Sequence, residues 1–168
     1  MSIHELISAI YRDVFSRTTA EAEFYPDNLA DPEFARLSNA DVDRYFAPAF
    51  TQQTNETGYD LDEFKQHVLE VKGRPAASFA IEILQHSPEH DGRQSVVIRV
   101  VVTDAASGKV LALVLSCWDV ERAPDARLLI TRNRELTFGP SDPPAAEDSF
   151  ATLLDPTTWP ADVRVANA

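Results

Sequence analysis

Val96-Val97-Ile98-Arg99-Val100-Val101-Val102, the turn Ala105-Ala106-Ser107-Gly108, and Val110-Leu111-Ala112-Leu113-Val114-Leu115 form the stretch on which the fold turns. Both runs are aliphatic and nearly continuous rather than alternating, as in strands covered on both faces. Ser107-Gly108 between them supplies a positive-φ position for a hairpin. Working outward, Glu89-His90-Asp91-Gly92 joins the first run to an earlier β-rich segment, and Ala123-Pro124-Asp125-Ala126 joins the second to a later one. The reading is four strands in consecutive antiparallel hairpins: Ser78 to His86, Gln94 to Thr103, Lys109 to Val120 and Arg127 to Phe138. Helices must cover one face of such a sheet, and a second copy of the protein, a homodimer through the sheet, is the simplest cover for the other.

The helices stand earlier in the chain. Ile3, Leu6, Ile7, Ile10, Tyr11, Val14 and Phe15 keep the i, i+3, i+4, i+7 spacing, and Ser2 with Glu5 makes a capping box, which predicts a first helix from Ser2 to Arg17. From Thr18 to Leu37 the period fades and Pro26 and Pro32 read as interruptions, so a connection with one short turn at Pro32 to Arg36 is expected. Ser38-Asn39-Ala40-Asp41 offers N-cap chemistry for a two-turn helix through Val42, Tyr45 and Phe46 that Pro48 stops. Phe50 to Thr54 reads as a brief extended segment. Asp60 caps a third helix, Leu61 to Val71, with Phe64, Val68 and Val71 on its apolar face and Gly73 after it. Beyond Gly139 come Pro140, Pro143, Pro144, Pro156 and Pro160 with several acids, and only Glu147 to Leu154 keeps helical spacing. The chain therefore divides into a domain, 1–139, and a Pro-rich acidic extension, 140–168, with one short helix. Phe150, Leu153, Leu154 and Trp159 are too apolar for a free tail and are expected to fold back on the domain or onto a partner.

Composition narrows the function. The 168 residues, 44% hydrophobic and 25% charged, suit one ordinary globular domain. Fifteen Lys and Arg against 27 Asp and Glu leave a net charge of −12, a field that repels nucleic acid and anionic membrane surfaces. The lone Cys117 allows no internal disulfide and no basic-then-apolar leader opens the chain, so a cytoplasmic protein is expected. The longest apolar run, Val110 to Leu115, is far short of the roughly 20 residues that cross a bilayer, so the chain reads as soluble. His4, His86 and His90 have no metal-ligand spacing with Cys117, and the five glycines form no dinucleotide, P-loop or hydrolase-elbow motif. No metal and no cofactor are expected.

Asp41-Val42-Asp43-Arg44-Tyr45-Phe46-Ala47-Pro48-Ala49-Phe50 resembles the helix and "fapdf" signature of the SnoaL-like branch of the nuclear transport factor 2 (NTF2-like) superfamily. Leu61-Asp62-Glu63-Phe64-Lys65-Gln66-His67-Val68 is similar to that family's third helix, with its acidic start, aromatic and His. Asp125-Ala126-Arg127 followed by Ile130-Thr131-Arg132-Asn133-Arg134-Glu135 is similar to its last hairpin and strand. The resemblance spans roughly Ser2 to Gly139 and departs at Ala126, where the family usually has a turn Gly, and in the extension after Gly139. It implies an α+β fold in which three N-terminal helices pack in the concave face of a curved antiparallel sheet, a cone-shaped half-barrel with a small-molecule pocket at its open end, commonly in a dimer. Active relatives include polyketide cyclases and ketosteroid-isomerase-like enzymes. Their chemistry implies a carboxylate or His that removes a proton beside a carbonyl while a donor holds the enolate oxygen.

Candidates for that chemistry follow from position. Glu135 interrupts the last strand, and period-2 parity puts Thr131, Asn133, Glu135 and Thr137 on one face, either a polar pocket wall or a solvated face with ion pairs. His67 borders the apolar face of its helix and titrates near neutrality when unperturbed, as a general acid or base or as a structural His. Trp118 and Asp119 take opposite faces of the third β-run, and which one sees the pocket is open. Arg99, inside an apolar strand, requires an acid such as Glu82 or Glu135, or a ligand carboxylate. Tyr11, Tyr45 and Phe50 are core aromatics whose hydroxyls, in the two tyrosines, need partners. The functional expectation is a cofactor-free cyclase, isomerase or dehydratase acting on a hydrophobic polyketide-, terpenoid- or steroid-like molecule. Its base is Glu135 or Asp119, with His67 as a second acid–base group and Tyr45 or Asn133 as oxyanion donor. Tyr11, Tyr45, Phe50, Arg99, Trp118 and Asn133 would touch substrate. The alternative is a non-catalytic ligand-binding or protein-interaction domain of the same fold.

Overall fold

Helix α1 (Ile3–Ile10) starts on the expected capping box: Ser2 Oγ accepts from the Glu5 amide, and Glu5 Oε2 accepts from the Ser2 amide. Ile3, Leu6, Ile7 and Ile10 are buried, each contributing about 1.5–3 kcal/mol of apolar transfer. The computed structural model describes residues 1–16, 31–73 and 77–139. The first helix does not continue as one α-helix towards Arg17. At Tyr11 it widens into a π-helical turn, Tyr11–Phe15, which Ser16 closes by donating its amide (3.0 Å) and its hydroxyl (2.6 Å) to the Tyr11 carbonyl. Such turns are rare and concentrate at functional sites; this one carries Tyr11 and Val14 into the core.

The second helix corrects two expectations. Instead of a short turn followed by a two-turn helix from Ser38, one helix, α2, runs from Pro32 to Tyr45. Asp31 is its N-cap, accepting from the amides of Glu33 and Phe34, and Pro32 sits in the first turn, where its missing N–H costs nothing. Pro32 thus starts the helix rather than interrupting it, and Ser38 is a buried residue in mid-helix. The expected connection through residue 30 lies outside the described residues, as does the extension 140–168.

Pro48 does not stop a helix either: it lies within strand β1 (Phe46–Thr54), which is longer than the expected extended segment. A register shift between Phe46 and Thr51 accommodates it, since Pro cannot donate to a ladder. The short β2 (Thr57–Tyr59) pairs antiparallel with β1. Helix α3 (Leu61–Gly73) follows, its capping box made by Asp60 and Glu63 as mutual side-chain to amide bonds of 2.9 Å. The remaining strands match the reading to within two residues: β3 (Ala77–His86), β4 (Arg93–Asp104), β5 (Val110–Arg122) and β6 (Leu128–Phe138). Asp91 and Gly92 (φ 50° and 74°) and Gly108 (φ 71°) supply the left-handed turn positions.

These strands form one open, curved sheet in the order β2-β1-β6-β5-β4-β3. The run β3 to β6 is an antiparallel meander, but β1 lies parallel to β6, so the sheet is mixed rather than wholly antiparallel. The inner face packs on the helices: Val96, Ile98, Val100, Trp118, Val120, Leu128 and Ile130 join Leu6, Ile7, Ile10, Val42, Phe64 and Val68 in one core. The fold is an α+β cone, with three helices on the inner face of the sheet. Among the described residues no helix is long and apolar enough to cross a membrane.

Candidate functional site

One irregularity in β6 decides which side chains face inward. Ile130 pairs with Val120 and Arg132 with Asp119, so Thr131 is an extra residue, a bulge, and parity inverts across it. Ile130, before the bulge, and Asn133 and Glu135, after it, therefore share the inner face. Thr131 does not share Glu135's face, contrary to strict alternation: its hydroxyl donates to the Asp119 carbonyl, and with Arg132 it lines an outer groove.

The register then stacks two inner rows. Tyr59 of β2 stands opposite Gln52 of β1, which stands opposite Asn133 of β6, which stands opposite Trp118 of β5. In the second row Thr57, Thr54, Glu135 and Ser116 follow in the same strand order. Glu135 is the centre of a ring of neutral donors. Its Oε2 accepts from Ser116 Oγ (3.2 Å) and Asn133 Nδ2 (3.2 Å), and its Oε1 from Thr54 Oγ1 (3.3 Å) and Thr137 Oγ1 (3.3 Å). Asn133 Nδ2 also donates to Gln52 Oε1 (3.1 Å), and Gln52 Nε2 to Thr54 Oγ1 (2.8 Å). Asn55, at φ 50° in the turn after β1, clamps this corner: its amide donates to the Glu135 carbonyl, and its side chain accepts from the Thr137 amide. Among the described residues no lysine or arginine pairs with Glu135.

Three further polar groups lie on the buried inner side of the sheet, in Tyr11, Trp118 and Asn133. Tyr11 is buried, stacked on Trp118 with ring centroids 6.1 Å apart, and its hydroxyl pKa is pushed far above the usual range by burial and then by the charge of Glu135. It stays a proton donor across all physiological pH. Trp118 Nε1 and Asn133 Oδ1, in residues only 1% and 2% exposed, are buried and lack a hydrogen-bond partner among the described residues. A buried donor or acceptor left unmade costs about 1–3 kcal/mol, and these two belong to the facing residues Trp118 and Asn133. Tyr11 also walls an open hollow of about 410 Å³ between the π-helical turn and β3, with Ser8, Arg12, Ser16, Phe79 and Ile81.

The structure thus brings together Glu135, Asn133, Trp118 and Tyr11 and separates the rest. Asp119 faces outward, away from Glu135, where it accepts from Ser95 Oγ (2.8 Å) and pairs with Arg132 (2.7 Å) and Arg134 (3.3 Å). Arg99 also faces outward, paired with Glu82 rather than with Glu135. The hydroxyl of Tyr45 donates to Asp13 and is not among the groups bonded to Glu135. Arg12 and Arg44 flank the same Asp13 carboxylate, which they and Tyr45 hold below the usual aspartate range, Arg12 most strongly. Phe50 is 1% exposed between Phe46 and Phe64, a core ring rather than a pocket wall. His67 is half-buried on α3 with its ring 5.3 Å from that of Tyr59, at the edge of the first row, and Tyr59 and Gln52 stand between it and Asn133. Sequence reasoning missed Gln52, Thr54 and Ser116. Ser116 carried a signal, as the polar residue that breaks the run Val110 to Leu115, whereas Gln52 and Thr54 depend on the parallel pairing of β1. Among the described residues no group of three His, Cys, Asp or Glu side chains is placed to hold a metal.

A helix-filled cone with a polar corner on the inner face of its last strands is the architecture of the NTF2-like class, and the chain has an NTF2-like fold. It matches an NTF-2 like protein of unknown function from Pseudomonas aeruginosa at 21% identity and a TM-score of 0.53, covering 82% of this chain and 95% of that one. It matches a putative ketosteroid isomerase from Parabacteroides distasonis at 12% identity and a TM-score of 0.52, covering 84% and 92%. A domain of unknown function with a cystatin-like fold from Nostoc punctiforme matches at 12% identity and a TM-score of 0.55, covering 98% and 92%. No protein-family model and no curated protein matches the sequence.

Proposed function

We propose that the chain is a small-molecule-binding protein of the SnoaL-like type that performs cofactor-free acid–base chemistry on a hydrophobic carbonyl compound, with Glu135 as the base. The observation that carries this reading is a carboxylate on the inner face held only by neutral donors, beside a buried donor and a buried acceptor that lack partners. A carboxylate locked to an arginine would be spent on structure, whereas this one is oriented but not neutralised. In the proposed step Glu135 takes the proton from the carbon next to the substrate carbonyl. The C–H electron pair moves into the enolate, and the Tyr11 hydroxyl donates to the enolate oxygen. Protonation at another carbon by the same carboxyl group completes an isomerisation; in a cyclisation the enolate carbon attacks an internal carbonyl, whose C=O π pair moves onto oxygen as an alkoxide that takes the proton back from Glu135. The rings of Trp118 and Tyr11 supply the apolar wall.

A non-catalytic ligand-binding or interaction domain is the second reading. It is favoured by the filled interior, where Phe46, Phe50 and Phe64 pack at centroid distances of 4.8–4.9 Å and are 1–2% exposed. Native mass spectrometry of the protein from its own host separates the two. A retained hydrophobic carbonyl compound, turned over by the wild type and roughly 100-fold or more slower by Glu135→Gln with the fold intact, is the expected result. Equal turnover by Glu135→Gln removes Glu135 from the chemistry, and an empty protein moves the reading to the non-catalytic domain.

A further inference from the structure

Gln52 is 5% exposed on the inner face of β1, and among the described residues it makes no bond to Glu135. Burying a primary amide is costly unless its polar ends are satisfied, and here both are used. Nε2 donates to Thr54 Oγ1 (2.8 Å), and Oε1 accepts from Asn133 Nδ2 (3.1 Å). Thr54 and Asn133 are in turn two of the four groups that bond the Glu135 carboxylate. The side chains close a ring, Gln52 to Thr54 to Glu135 to Asn133 and back. The parallel register makes the ring possible, since Gln52 stands opposite Asn133 and Thr54 opposite Glu135.

Proton counting gives the ring a direction. A threonine hydroxyl has a single proton, and because Thr54 Oγ1 already accepts an N–H from Gln52, that proton is left for Glu135 Oε1 (3.3 Å). The Asn133 amide has two, one for Gln52 Oε1 and one for Glu135 Oε2 (3.2 Å). Turned over, that amide would set Oδ1 against two acceptor oxygens, so its orientation is fixed and Oδ1 is the atom left without a partner. We propose that Gln52 is a positioning residue for Glu135: acting through Thr54 and Asn133, it makes two of the carboxylate's bonds fixed donors and so holds the group's aim. This rests on the reading of Glu135 as the base. A base aimed in advance by packed side chains needs no reorganisation when it takes its proton.

Nuclear magnetic resonance of isotopically labelled full-length protein, at one pH near neutrality and with no ligand added, tests the ring. The readout is the side-chain carboxyl carbon of Glu135, identified by its loss in Glu135→Gln. It is followed through a cycle of wild type, Gln52→Met, Thr54→Val and the double variant, with circular dichroism on each. Met keeps the bulk of Gln without its polar ends, and Val keeps the shape of Thr without its hydroxyl. The expected result is that Gln52→Met moves the Glu135 resonance, and moves it by about half as much or less where Thr54 is already Val, because one of its two routes is gone. The side-chain N–H protons of Asn133 should also exchange with solvent about tenfold faster or more in Gln52→Met. A Gln52 that served only to fill space would shift the resonance equally in both backgrounds. Equal shifts, or a resonance that does not move, overturn the proposal and leave the reaction assigned to Glu135 standing. Full turnover by Glu135→Gln, read in its own assay, counts against that reaction and not against the ring. Should Gln52→Met lose its fold, Gln52→Asn, an amide too short to bridge both partners, takes its place in the cycle with the same outcomes.

Discussion

Replacing Asp119 by Ala tests the assignment of the two sheet faces, because an outward structural carboxylate and an inward catalytic one answer differently. Asp119 makes three contacts of unequal worth. Its pair with Arg132 is half in water, the arginine side chain being 48% exposed, and contributes at most about 1 kcal/mol. Its bond from Ser95 is a neutral donor to a charged acceptor, about 1 kcal/mol or slightly more. Its pair with Arg134 joins side chains 20% and 13% exposed, so removing the acid leaves a largely desolvated guanidinium without that anion, a cost of about 1–2 kcal/mol after allowance for residual solvent. The total is roughly 3 kcal/mol, and in a chain of this size that lowers the melting temperature by about 6–12 °C. Urea and thermal unfolding followed by circular dichroism measure the loss, and an Asp119→Ala/Arg132→Ala cycle isolates the exposed pair, for which a coupling below about 1 kcal/mol is expected. A variant that loses less than about 1 kcal/mol in total yet abolishes a measured turnover or ligand binding would refute the face assignment and return Asp119 to the site.

Other consequences follow from local geometry. Ala126 holds φ 68° in the turn before β6, a conformation that costs a non-glycine residue about 1–2 kcal/mol, so Ala126→Gly should stabilise the protein by about 0.5–1 kcal/mol after the entropy of the extra glycine; a loss in urea midpoint would contradict this. Asp13 titrates below its ordinary value in the fold, with the Arg12 contact as the largest cause. Its stabilising contribution is therefore present above the unfolded aspartate pKa of about 3.9 and is lost as pH falls from there through the lower folded value. Unfolding midpoints taken from pH 5 to pH 2 should fall less steeply in Asp13→Asn than in the wild type, and parallel profiles would count against the Asp13–Tyr45 cluster.

The four meander strands were legible because two independent signals agree in them: long apolar runs such as Val96 to Val102, and left-handed turn residues at Asp91-Gly92 and Gly108. Pro32 and Pro48 misled for a common reason. Proline forbids a backbone donor, which reads as a break, but the first turn of α2 and the irregular part of β1 are places where no donor is wanted. The parallel pairing of β1 with β6 has no local signature at all, and with it went Gln52 and Thr54. Glu135, Asn133, Tyr11 and Trp118 could be named as candidates from residue type and spacing. That Glu135 shares a face with Ile130 while Asp119 does not could not be read, because one extra residue at Thr131 reverses the alternation on which such reasoning depends.

The β1–β6 pairing also dictates when the polar corner can exist during synthesis. Gln52 and Asn133 meet across 81 positions of chain, so a nascent polypeptide carries β1 and β2 out of the ribosome well before their lateral neighbour is translated. Until then the backbone donors and acceptors along that side of β1 have only solvent, and Glu135's future companions are scattered. Closing so wide a loop makes this a late and slow event relative to the hairpins of the meander. A pause or truncation before β6 would therefore release a chain with one bare strand edge, the form most exposed to mispairing with its neighbours.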